Sequence, residues 1–159
     1  MQNTEVTPAS IRMAAMNLLS MREHSAKELQ TKLAKKFEQT EWIIAAVEKL
    51  RSDGLQSDQR FTQAFVSMRL RQGKGALVIR MELKKKGVSA FLIDEFLINP
   101  TEDTDWNELA WKAYLKKFGT TPIGDLKDKA KRVRFLTARG FSGANIQAVF
   151  KRAASDLDD

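Results

Sequence analysis

The chain has 159 residues, 43% of them hydrophobic, which excludes a disordered polymer and allows one to three small domains. No apolar run approaches the roughly 20 residues of a membrane helix, and the absence of cysteine excludes disulfides and thiolate chemistry. A formal charge of +7 favours a polyanionic partner without identifying one.

The first residues, MQNTEVTPAS, have neither the basic nor the apolar region of a signal peptide, so a soluble, cytoplasmic protein is expected. Pro8 and Ser10 precede a helical pattern of Ile11, Ala14, Ala15, Leu18 and Leu19. Ser25 and Glu28 have capping-box spacing ahead of Leu29 and Leu33. A third pattern, Trp42, Ile43, Ala46, Val47 and Leu50, stops before Asp53-Gly54. The turn-rich stretch SDGLQSDQ then marks a boundary. Phe61, Phe65 and Met68, then Ile79 and Leu83, resume the helical pattern on either side of RQGKGA. NPTEDTD, from Asn99 to Asp105, marks a second boundary whose proline and acids suit a helix start. Leu109 and Ala113, then Ala130, Val133 and Leu136, continue the pattern around the loop FGTTPIGD. Nowhere does a period of two with β-branched enrichment persist, so the expected fold is all-α.

Two phrases organise these helices. LKKKGVS at Leu83–Ser89 returns as LTARGFS at Leu136–Ser142, shifted by 53, and the match continues from Ile93 to Ile146. Each phrase has the chemistry of a joint between helices. The glycine accommodates the left-handed residue that closes one helix, and the serine caps the next. A first copy, shifted by 50, aligns Leu33 with Leu83, Lys36 with Lys86 and Ile43 with Ile93, but it lacks the glycine. Repetition at this period implies three tandem three-helix repeats, at 9–56, 57–99 and 103–155, in a modular, elongated chain.

Sites for chemistry are sparse. His24, the single histidine, has no partner motif for metal binding or general-base work and suits a surface or turn position. RQGKGA lacks the Ser or Thr that follows the lysine of a nucleotide loop; it suits a helix start, where N–H groups beside Lys74 and Arg71 are open to a phosphate. Glu102, Asp103 and Asp105 suit helix capping rather than acid–base chemistry. Trp42, Trp106 and Trp111 fit core packing, as do Met13, Met16, Met21, Met68 and Met81. No enzymatic activity, metal or cofactor is expected.

Charge is distributed in blocks. Seven bases face one acid between Arg69 and Lys86, six acids and no base lie between Val88 and Trp111, and nine bases face two acids between Lys112 and Arg139. Arg80 and Lys84 share a helix face, as do Lys127, Lys131 and Arg134. Such stripes suit phosphate contacts with little sequence preference; the plain alternative is an ordinary solvated helix surface.

Several phrases in fixed order resemble the RecX family of recombination regulators: SMREHSAKELQTKL (Ser20–Leu33), SDQRFTQAFVSMRLRQGKG (Ser57–Gly75), IRMELKKKGVS (Ile79–Ser89) and RFLTARGFS (Arg134–Ser142). GLQSDQRF stands where the family shows a more acidic run, and the first joint is irregular. The resemblance implies a non-enzymatic, monomeric modulator of the RecA recombinase in DNA recombination, repair and the SOS response. It implies binding along the RecA–DNA filament and inhibition of ATP hydrolysis, strand exchange and co-protease activity. Charge, rather than the family pattern, selects the candidate filament- and DNA-binding residues. They are Arg69, Arg71, Lys74, Arg80, Lys84, Lys85, Lys86, Lys131, Arg132, Arg134 and Arg139. The alternative is a basic helical protein that binds single- or double-stranded DNA without RecA.

Overall fold

Local caps fix where the helices begin and end. Thr7 accepts the Ser10 N–H ahead of α1 (Pro8–Met21), with Pro8 where no N–H is needed. Ser25 and Glu28 form the expected reciprocal box ahead of α2 (Ala26–Ala34). Next come α3 (Thr40–Ser52), α4 (Asp58–Arg71), α5 (Ala76–Lys85) and α6 (Ala90–Ile98). Asp105 and Asp125 cap α7 (Trp106–Phe118) and α8 (Leu126–Arg139), and α9 (Gly143–Leu157) is the last helix. This computed structural model describes residues 5–98 and 104–157, and among them there are nine helices and no strand. The expected boundary NPTEDTD lies outside the described residues from Asn99 to Asp103.

The helices form two compact units, and these do not coincide with the three repeats. One contains Met1–Phe65 and Leu83–Ile93, the other Val66–Glu82 and Asp94–Asp159. In the first, α1, α2 and α3 close over Ile11, Ala15, Leu29, Leu33, Phe37, Ile43, Val47 and Leu50. In the second, α7, α8 and α9 close over Ala110, Trp111, Tyr114, Leu136, Phe141, Ile146 and Val149. Helices α4, α5 and α6 each contribute residues to both units.

Both repeated phrases are helix joints. Gly87 and Gly140 have φ of 78° and 100°, and the following Val88 and Phe141 are buried. Ser89 and Ser142 accept the Leu92 and Asn145 N–H groups as caps of α6 and α9. Each joint also docks on the start of an earlier helix. In the first unit the Ser25 hydroxyl donates to the Lys86 carbonyl at 2.7 Å. In the second the Gly75 N–H donates to the Arg139 carbonyl at 2.7 Å, and the Leu77 N–H donates to the Gly140 carbonyl at 3.0 Å. The repeat shifts relate Ser25 to Gly75 and Lys86 to Arg139, so equivalent positions meet twice, through a side-chain hydroxyl in the first unit and a backbone N–H in the second.

Other expectations change. The N–H groups of Gly73, Lys74 and Gly75 are spent on the Leu70, Arg69 and Arg139 carbonyls, so RQGKGA does not offer them to a phosphate. His24 is buried in the turn before α2, not on the surface. Met13, Met16, Met21, Met68 and Met81 are exposed, because Ile11 and Ala15, Phe61 and Phe65, and Ile79 and Leu83 take the inward positions of their helices. Trp42 is exposed beside the buried Ile43, whereas Trp111 is in the core. Ala130 faces solvent, because Arg132 and Leu136 occupy the buried side of α8.

Candidate functional site

The eleven candidate cations fall into three physical situations. Arg71, Lys84, Lys85, Lys131 and Arg134 are exposed and Lys74 is half-buried, and none makes an ion pair among the described residues. These six present charge that no close carboxylate takes up, although Lys131 still acts on Asp128 through its field.

Arg69, Arg80 and Lys86 hold internal carboxylates. Arg69 pairs with Glu82 at 2.6 Å, and Arg80 Nη1 meets Asp94 at 2.7 Å. Lys86 Nζ donates to Glu28 at 2.8 Å, and Arg22 reaches the same carboxylate at 2.9 Å. Burial pushes the Glu28 pKa up, but hydrogen bonds from Arg22, Lys86 and the Ser25 N–H outweigh it and hold the group at about 2. The free stripe expected of Arg80 is therefore modified by its carboxylate. Arg139 donates to the Gln72 carbonyl at 3.1 Å and lies 5.2 Å from the Phe135 ring centroid.

Arg132 is the correction. It is 4% exposed, and it donates to the Tyr114 hydroxyl at 2.7 Å and to the Thr121 and Pro122 carbonyls at 2.9 and 3.2 Å. Asp128, one turn back on α8, pairs with it at 3.0 Å. Burial opposes its charge, but the Tyr114 and Asp128 contacts win and hold its pKa above the ordinary value. This guanidinium pins the loop after α7 to α8 and presents no donor to a surface ligand. A basic stretch in a sequence does not reveal which of its members turns inward.

Three cations were missed as candidates. Lys112, Lys116 and Lys117 of α7 line one groove with Arg71 and Arg139, all within the second unit. Their signal is spacing: Leu109, Lys112, Ala113, Lys116 and Lys117 share a helix face. Leu109 and Ala113 read as core residues, so the sequence alone does not mark that face as a surface. Elsewhere, no group of three His, Asp or Glu among the described residues is arranged to hold a metal ion. No described helix is long and apolar enough to cross a membrane.

The chain matches three family models, described as the first, second and third three-helix domains of RecX, over residues 12–50, 57–97 and 103–150. A Regulatory protein RecX from Chromohalobacter salexigens is 38% identical over 153 residues, spanning 96% of this chain and 97% of that one. A protein of the same name from Halorhodospira halophila is 33% identical over 150 residues, spanning 94% and 91% of the two chains. Among solved structures, RecX from Lactobacillus salivarius superposes with a TM-score of 0.75 at 22% identity, over 92% of this chain and 96% of that one. Another structure, of a regulatory protein RecX, gives 0.77 at 23% identity over 95% and 82%.

Proposed function

The chain belongs to the RecX family of regulatory proteins, and on that premise we propose that it binds the RecA–DNA filament and restrains the recombinase's ATP hydrolysis, strand exchange and co-protease activity. It does so by occupancy, without a catalytic step or cofactor of its own, as a cytoplasmic monomer. The observation that carries this reading is the set of unpaired cations Arg71, Lys74, Lys84, Lys85, Lys131 and Arg134. Arg69, Arg80 and Lys86 join such a contact only by exchanging an internal carboxylate for an external anion, so they add less affinity. Arg139 contributes through the guanidinium edge that Gln72 leaves open, and Arg132 drops out of the set.

The repeats, assigned as 9–56, 57–99 and 103–155, act as separate contact modules. Contacts that are weak alone reinforce one another when carried by one chain, because the second binds at the effective concentration set by the first. ATP hydrolysis by RecA on single-stranded DNA, titrated with this protein, tests the reading. Inhibition is expected; at ratios far below one per RecA subunit it points to filament ends or assembly, and near saturation to groove occupancy. A folded protein that binds DNA and leaves hydrolysis unchanged would overturn it in favour of a DNA-binding role independent of RecA.

A further inference from the structure

A groove of about 350 Å3 opens between the end of α4, one face of α7 and the end of α8, wholly within the second unit. Its cations are Arg71, Lys112, Lys116, Lys117 and Arg139, and no carboxylate is among its lining residues. Its apolar surface comes from Leu70, Leu109, Ala113 and Phe135, each half-buried. Arg71, Lys112 and Lys116 are exposed and make no ion pair among the described residues. An apolar floor ringed by uncompensated positive charge is a two-part specification: one part takes an apolar side chain, the other takes anions around it.

We propose that this groove binds an acidic peptide segment of a partner protein, anchored by one or two large apolar side chains. Nucleic acid meets the charge requirement but not the floor. The groove's one aromatic ring, Phe135, has Arg139 at 5.2 Å and Lys117 at 5.8 Å from its centroid, and it meets the Phe118 ring edge-on at 5.4 Å. A ring so engaged is a poor stacking platform for a base. A leucine or phenylalanine side chain needs no free ring face; it buries against Leu70, Leu109 and Ala113 while flanking carboxylates reach the lysines of α7. The assignment does not depend on RecA, and it gives Lys112, Lys116 and Lys117 a role that the filament reading leaves open.

The test titrates the 15N-labelled full chain with a synthetic ten-residue peptide of aspartates and glutamates around a central Leu-Phe pair, followed by amide chemical shifts. Shifts are expected at residues 70–73, 109–117 and 135–139. Replacing the Leu-Phe pair by two serines should weaken binding about ten-fold or more. The double variant Lys112→Glu, Lys116→Glu should lose binding while keeping its helical circular dichroism, and Lys151→Glu, outside the groove, should bind normally. Equal binding of the serine peptide, shifts centred elsewhere, or no shift at millimolar peptide would overturn the proposal. So would a twelve-nucleotide oligothymidine that displaces the peptide and produces the same shifts more tightly, which would make the groove a nucleic-acid site. RecA is absent throughout, so failure here leaves the filament reading standing.

Discussion

Gly140 lies so close to Val78 that a Cβ built on the glycine would come within 2.6 Å of the valine Cβ. The same atom would meet the Val78 nitrogen at 2.7 Å and the Gly75 carbonyl oxygen at 3.0 Å, and the backbone there has φ of 100°. The glycine thus answers two demands: a left-handed helix end, and a close approach between the α8 joint and the start of α5. Gly87 answers the same two, with φ of 78° and Lys27 Cβ 2.7 Å from its notional Cβ.

Gly140→Ala should therefore destabilise the second unit by about 2–4 kcal/mol, combining left-handed strain with overpacking. Gly143→Ala, three residues on, meets nothing within 4 Å and should be neutral or stabilising by up to about 1 kcal/mol. Urea unfolding followed by tryptophan fluorescence, in a Trp42→Phe background so that only Trp106 and Trp111 report, separates the two. Equal midpoints for both variants would mean that the close approach is not made in solution.

Arg132 supports a second contrast. Arg132→Leu leaves the Tyr114 hydroxyl and the Thr121 and Pro122 carbonyls without their donor, and it should cost about 3 kcal/mol of stability. Arg134→Ala, two residues on and exposed, should stay within about 0.5 kcal/mol of the parent. Thermal melts decide this, and a stable Arg132→Leu protein would show that the guanidinium only fills space.

Acid should weaken the first unit in two windows. His24 accepts from Lys32 Nζ through Nε2 at 2.9 Å, so its proton sits on Nδ1 and is donated to the Arg22 carbonyl at 3.0 Å. Burial lowers the His24 pKa below its usual 6.5, so its contribution is present above that value and is lost as pH falls beneath it. Glu28, held at about 2 against an ordinary 4.5, contributes fully above 4.5, and that contribution fades as pH falls toward 2. Glu28→Gln should cost on the order of 3 kcal/mol at pH 7 and should converge with the parent as pH approaches 2. Melts at pH 7, 5 and 3 check this; parallel pH profiles for parent and variant would refute it.

The repeated joint, its glycine and its capping serine were readable because each is a local demand written in neighbouring residues. The irregular first joint makes sense only with the contacts in view. Phe37 stands where a glycine would align, and no earlier repeat presses on it. The docking of Ser25 on Lys86 joins positions 61 residues apart, and no local pattern announces such a pair. It also explains why the compact units cut across the middle repeat: each contains one complete docking of a joint onto an earlier helix start. Arg132 was unreadable for a related reason, since its partners Tyr114, Thr121 and Pro122 come from α7 and its loop. The groove escaped notice because Leu109 and Ala113 serve both the core edge and its floor.

Salt dependence tests the unpaired cations most directly. Lys131 and Arg134 are exposed on α8 and form no close ion pair among the described residues, Lys131 acting on Asp128 only through its field, so removing both should not disturb the fold. If each neutralises a phosphate, the double variant Lys131→Ala, Arg134→Ala lowers the slope of log affinity against log salt. The expected drop is about 1.4 for single-stranded DNA and about 1.8 for duplex. Both strands should be measured alone and within the RecA filament. A drop in both settings assigns the pair to DNA, and a weakening confined to the filament assigns it to acidic protein surface, because counterion release from naked DNA would then be untouched. Unchanged slopes and affinities in both settings would remove Lys131 and Arg134 from the interface and leave Arg71, Lys74, Lys84 and Lys85, with Arg139, to carry it.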